Sequence, residues 1–148
     1  MSQKISPEPI SVGGEVVAIV LRSTMTEEHR DFVTDTTDQL QFGAFKLNAN
    51  TKIPPHRHLP VERNLSGTPE FLFVQAGKLT VSFYDVPGDA TGTITSGSVC
   101  FTTDLEAGQA ILIFGGTHGF FTKEGCDFFE LKQGPYAGLK DKIKFELN

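Results

Sequence analysis

The sequence predicts an all-β protein, a sandwich or barrel, and three observations carry that expectation. Short apolar or alternating runs follow one another closely, with turn residues between them. Composition agrees: fifteen Gly and eight Pro accompany thirteen Phe and no Trp in a chain of 148 residues that is 39% apolar. No repeat, low-complexity stretch or linker divides the chain, so one domain with one sizeable core is expected.

Glu15 to Arg22 is a near-continuous apolar run rich in β-branched residues after a Gly13-Gly14 break, the pattern of a buried strand. Residues 24 to 31 suit one short helical turn, with Thr24 or Thr26 as cap and acids after it. His29 in that polar patch reads as an exposed surface histidine. Leu40 to Leu47 is a second strand, and Ile53 to His58 a third, entered through two prolines that suit a strand edge or start. Glu70 to Gln75, a turn at Ala76-Gly77 and Lys78 to Tyr84 read as a hairpin whose second strand has one buried face. The Gly88-Asp89, Gly92 and Gly97 regions punctuate two further short strands ending near Thr102. Ala110 to Phe114 is another apolar strand. His118 to Thr122 and Cys126 to Lys132 form a last hairpin through Lys123-Glu124-Gly125.

Charge and cysteine usage narrow the partners. Thirteen Lys and Arg against eighteen Asp and Glu leave a formal charge of −5, which argues against nucleic acid. No apolar run approaches the roughly 18 residues of a membrane span, and Met1 to Lys4 leads into no signal-type core. Cys100 and Cys126 read as buried reduced thiols rather than a disulfide, which points to the cytoplasm.

The chemistry concentrates in Pro54-Pro55-His56-Arg57-His58. Two histidines at i, i+2 on an extended segment place both imidazoles on one face, with Arg57 pointing away. Glu70 and His118, from two other strand-like segments, would complete a set of three imidazoles and one carboxylate. Imidazole nitrogen suits Zn, Cu, Fe and Ni, and a carboxylate extends the range toward Mn. Such a set holds one divalent ion and leaves positions open for water or substrate.

These residues resemble the cupin superfamily. Its first motif has His-x-His, then Glu, six residues and Gly, matched here by His56-Arg57-His58, Glu70 and Gly77. Asn50 replaces the Gly that usually opens it. Its second motif ends Pro-x-Gly-x-x-His with Asn four residues on; Gly115 and His118 fit, while Ile113 replaces the Pro and Thr122 the Asn, and the preceding motif Gly is displaced by one residue to Gly108. The resemblance covers roughly residues 45 to 132. It implies a single jelly-roll β-barrel, or double-stranded β-helix, over residues 1–148, with an N-terminal strand arm over 1–39 and a C-terminal tail over 133–148. It also implies a metal site of His56, His58, Glu70 and His118, a small-molecule ligand and a homodimer.

Eleven residues, Leu59 to Pro69, separate His58 from Glu70, where the family usually has three or four. Glu62 sits at the shorter spacing and competes for the carboxylate role, but Glu70 opens a β-pattern and sets Gly77 at a turn. The added segment is a surface loop or a lid, and as a lid it would bring Arg63 toward an anionic substrate. Phe129 to Tyr136 is similar to the Glu-x-Lys-x-Gly-Pro-Tyr ending of WbuC-type cupins, associated with bacterial surface-polysaccharide gene clusters. Otherwise Gly134-Pro135 ends a strand, Tyr136 packs on the barrel, and Lys140, Lys142 and Lys144 form a solvated face. The expectation is a metal-dependent enzyme acting on a small polar or sugar-like metabolite, a dioxygenase with Fe or an isomerase or epimerase with Zn, Mn or Ni. Tyr84, Tyr136 and Glu62 are candidate proton carriers. A non-enzymatic module binding a sugar or carboxylate is the alternative, and a structural protein with a degenerate site the third.

Overall fold

A computed structural model of the chain describes residues 7–22, 29–87 and 92–148, without the side chains of 29–31, 96 and 139. The protein is all-β. Eleven strands follow in order among the described residues: β1 (Glu8–Val12), β2 (Glu15–Leu21), β3 (His29–Phe32), β4 (Gly43–Lys46), β5 (Glu70–Tyr84), β6 (Thr93–Ile94), β7 (Val99–Glu106), β8 (Ala110–Ile113), β9 (Thr117–Phe121), β10 (Cys126–Lys132) and β11 (Glu146–Leu147). Two single 3-10 turns, at 96–98 and 138–140, are the remaining elements.

The architecture is organised by β5. Its first half lies between β8 and β10 in a sheet ordered β1-β2-β8-β5-β10, and its second half pairs with β7 and β9. All these ladders are antiparallel, and the sheets stay open. Smaller ladders join β3 to β4 and, in parallel, β6 to β11.

The hairpin expected at Ala76-Gly77 is one continuous strand of 15 residues instead. Gly77 adopts a φ of +79°, and a Cβ there would stand 2.5 Å from the Gly125 carbonyl oxygen. Only Gly fits this crossing, so it marks a bend rather than a turn. Inward-facing residues change parity across it, from Leu72 and Val74 to Leu79, Val81 and Phe83, all at most 1% exposed. The last hairpin is also corrected. β9 and β10 both run antiparallel to β5, one after the other, with Phe121 opposite Thr80 and Cys126 opposite Gly77. Residues 122–125 therefore bridge two segments running along the same strand.

The bend has a geometric consequence. A 15-residue strand would run about 50 Å if straight. Yet Glu70 at its start and Phe83 near its end both meet the imidazole of His118, at 3.1 Å and at a ring-centroid distance of 6.1 Å. β5 curls around the core and brings its two ends to one place.

That core combines Ile10, Ala18 and Val20 with Leu72, Val74, Leu79, Val81, Phe83, Leu105, Ile111 and Ile113. A second cluster lies on the other face of β2 and β8, where Val33, Leu40 and Phe42 cover Ile19, Leu21, Leu112 and Phe71. Phe42 stacks on Phe71 at 5.5 Å. Both sheet faces are thus covered within the chain at this point, while Phe129 and Leu131 of β10 remain 60% and 67% exposed.

Strand β2 matches the expected run 15 to 22, β8 the run at 110, and β4 is shorter than the expected 40 to 47. Ile53 to His58 is not a strand: residues 51–66 have no regular structure. Pro54 and Pro55 lack the N–H groups a ladder needs, and no strand among the described residues pairs with the segment. Of the helical turn expected over 24 to 31, residues 24–28 lie outside the described residues, and 29–31 belong to β3. The His29 side chain and the Gly88-Asp89 turn also lie outside them. Cys100 is exposed rather than buried, Cys126 is half-buried, and both are free thiols. No helix among the described residues is long and apolar enough to cross a membrane.

Candidate ligand-binding site

A cavity of about 680 Å³ opens where the two ends of β5 converge. Glu70, Tyr84, His118 and Glu130 line it from the strands, together with the Gly115-Gly116 turn. Glu70 opens β5 opposite Ile113 of β8 and Lys132 of β10, so ladders on both sides fix its position. His118 is the second residue of β9, opposite Phe83. The turn before it is anchored to β2: the Gly115 amide donates to the Val17 carbonyl at 3.3 Å. Gly116, at φ +80°, packs so closely that a Cβ would sit 3.3 Å from a Val17 methyl.

Both nitrogens of His118 are committed. Nδ1 donates to the Gly116 carbonyl at 2.9 Å, and Nε2 faces a Glu70 carboxylate oxygen at 3.1 Å. Both partners are acceptors, and a neutral imidazole carries only one N–H. The pair therefore needs a proton, or another cation, between Nε2 and the carboxylate. Glu70 is held below the usual carboxylate range by the His118 hydrogen bond, against an opposing effect of burial. Burial pushes His118 down, but the bonds to Glu70 and the Gly116 carbonyl outweigh it and leave the imidazole raised. Phe83 and Phe120 flank the ring at centroid distances of 6.1 and 5.5 Å.

The other two predicted ligands lie elsewhere. His56 and His58 sit on the exposed segment 51–66, their rings 5.4 Å apart and nearly perpendicular. His56 Nδ1 donates to the Pro54 carbonyl at 3.0 Å. Asn50, in the place of the opening motif Gly, takes a φ of +64° that Gly adopts readily and Asn tolerates. Glu70, not Glu62, stands beside His118; Glu62 lies on the same exposed segment as the two histidines. The four predicted residues thus form two pairs, and no cluster of three His, Cys, Asp or Glu poised for a metal occurs among the described residues. Glu70 and His118 fit a cation in chemistry and spacing. Complete coordination by all four requires segment 51–66 to move.

The tail was the part least legible from sequence. Residues 133–148 cross from β10 to β6 and roof the cavity with Lys142, Ile143, Lys144, Phe145 and Leu147. Asp141 fastens it, accepting from Thr68 Oγ1 at 3.3 Å and Lys132 Nζ at 3.4 Å. Lys140, Lys142 and Lys144 are exposed, as expected, and Lys142 and Lys144 also border the cavity. The signal was the apolar partners Ile143, Phe145 and Leu147 alternating with charge, a strand-like pattern that calls for a neighbour. Tyr136 does not pack on the sheets; it is 75% exposed, with the Lys132 ammonium 5.7 Å from its ring centre. Of the candidate proton carriers, Tyr84 alone lines the cavity, against the backbone of Gly119.

No family model matches the chain, and neither a curated protein nor a solved structure matches it.

Proposed function

We propose that the chain is a cupin-like jelly-roll protein that binds a small polar metabolite in the cavity over Glu70 and His118, with one divalent ion, Fe, Mn, Zn or Ni, held by His56, His58, Glu70 and His118. One observation carries this reading. His118 presents Nε2 to a carboxylate while its Nδ1–H is spent on a backbone carbonyl, so loss of the second proton leaves two acceptors face to face. A metal ion satisfies both at once. The carbonyl behind His56 orients that imidazole in the same way, as outer partners of metal-bound histidines do. When bound, the ion supplies a Lewis acid and open positions for a substrate oxygen. The chain's own residues orient the ligand: Phe83 and Phe120 flank the imidazole, and Tyr84 lines the same cavity.

Elemental analysis of native protein, followed by incubation with each metal at pH 8, tests the reading. It expects about one equivalent, with affinity at least ~10-fold weaker in His118→Ala. Below about a tenth of an equivalent with no uptake, the metal reading fails.

A second reading is a metal-independent binding module in which the Glu70–His118 ion pair itself meets the ligand. The absence of a three-donor cluster among the described residues favours it. Ligand binding that survives EDTA selects this module. Either reading includes a homodimer covering Phe129 and Leu131; light scattering should then return twice the chain's 16.2 kDa.

A further inference from the structure

Two lysines on the roof of the proposed ligand site point to what it takes. Two of the three acidic groups lining the cavity are engaged. Glu70 is bound to His118, and Asp141 accepts from Thr68 and Lys132. Glu130, at the rim, lies near enough to Lys132 to raise it. The lysines of the roof differ: Lys142 and Lys144 line the cavity and make no ion pair among the described residues. Lys142 lines the same cavity as the Glu70–His118 pair. The latch at Asp141 fixes the neighbouring residue, so Lys142 is delivered to the cavity rather than left on a loose tail. Phe120, Ile143 and Phe145 line the cavity beside the two lysines, whose side chains stay exposed to solvent.

We propose that the cavity takes a small anionic metabolite, whose carboxylate or phosphate group is held by the ammonium of Lys142, with Lys144 beside it, and whose remaining polar groups face Glu70, His118 and Tyr84. The C-terminal tail is then part of the recognition site and sets its specificity for charge. This rests on the preceding reading only in placing the ligand over Glu70 and His118.

The test is a titration of the ¹⁵N-labelled full chain with inorganic phosphate, malonate and mannitol, before and after zinc loading. One or both anions should shift the amides of Gly116, His118 and residues 142–145, mannitol should not, and whichever anion binds tighter names the group. Lys142→Met should weaken anion binding at least ~10-fold, while Lys142→Arg keeps it within about threefold. Failure of both anions to bind by about 50 mM, or Lys142→Met binding like the wild type, overturns the proposal. So does a loss seen with Lys144→Met alone, because it moves the contact off Lys142. Zinc uptake separates the two ideas. Metal binding without anion binding defeats this inference alone, and anion binding without metal uptake leaves it standing while the metal reading falls.

Discussion

Two pairs of predicted ligands meet very different fates in this molecule. Glu70 and His118, 48 positions apart in sequence, stand 3.1 Å apart in space, while His56 and His58, neighbours in sequence, stay on an exposed segment without a partner strand. The difference lies in what holds each backbone. Ladders on both sides fix Glu70, and β9 with the Gly115-Gly116 turn fixes His118. The His-x-His segment has two prolines and no ladder. A sequence motif supplies donor atoms; the register of the sheet decides where they go.

The largest test of this contrast concerns stability. Phe83 is fully buried at the end of β5 and packs against His118, so Phe83→Ala should lose about 3–5 kcal/mol in urea unfolding. The paired change His56→Ala/His58→Ala should stay within about 0.5 kcal/mol, since both rings are exposed. A large loss from the histidine pair would show that segment 51–66 is part of the folded framework.

Limited proteolysis reads the same contrast at the backbone. Trypsin should cut first at Arg57 and Arg63, at least ~10-fold faster than at Lys78, which sits within a paired strand. Zinc should slow those two cuts if it draws His56 and His58 onto Glu70 and His118. Cleavage unchanged by metal, in protein shown to bind it, would remove the two histidines from the site.

Sequence reasoning reached the strands whose pattern is local and stopped where geometry is not. The apolar runs at 15 to 21 and 110 to 113 announce β2 and β8 because burial on both faces leaves an unbroken hydrophobic signal. Gly77 was visible as a special position, but sequence does not say whether a Gly reverses a strand or bends it. The Gly125 carbonyl 2.5 Å from its absent Cβ decides that, and it comes from a residue 48 positions on. Glu70 and His118 were identifiable from motif spacing. The lysines of the tail were not, because the alternation over 143–147 signals a strand but not its parallel partner β6 across the cavity.

The smallest expected effect is the most informative about the half-buried Glu70–His118 pair. Glu70 is lowered and His118 raised relative to 4.5 and 6.5. Glu70 contributes stability above pH 4.5 and loses it as pH falls through its lowered folded value. His118 contributes below pH 6.5 and loses it as pH rises through its raised folded value. Their windows overlap between pH 4.5 and 6.5, where the ion pair is complete. There the wild type should exceed Glu70→Gln by about 1–2 kcal/mol, and the gap should narrow on either side. In Glu70→Gln the carboxylate no longer opposes burial, so the His118 imidazole, followed by NMR, should titrate lower than in the wild type. A metal must displace the same proton, so its affinity should rise with pH as His118 deprotonates. A metal affinity flat across that titration would place the ion away from His118 Nε2, and leave the Glu70–His118 contact a plain ion pair.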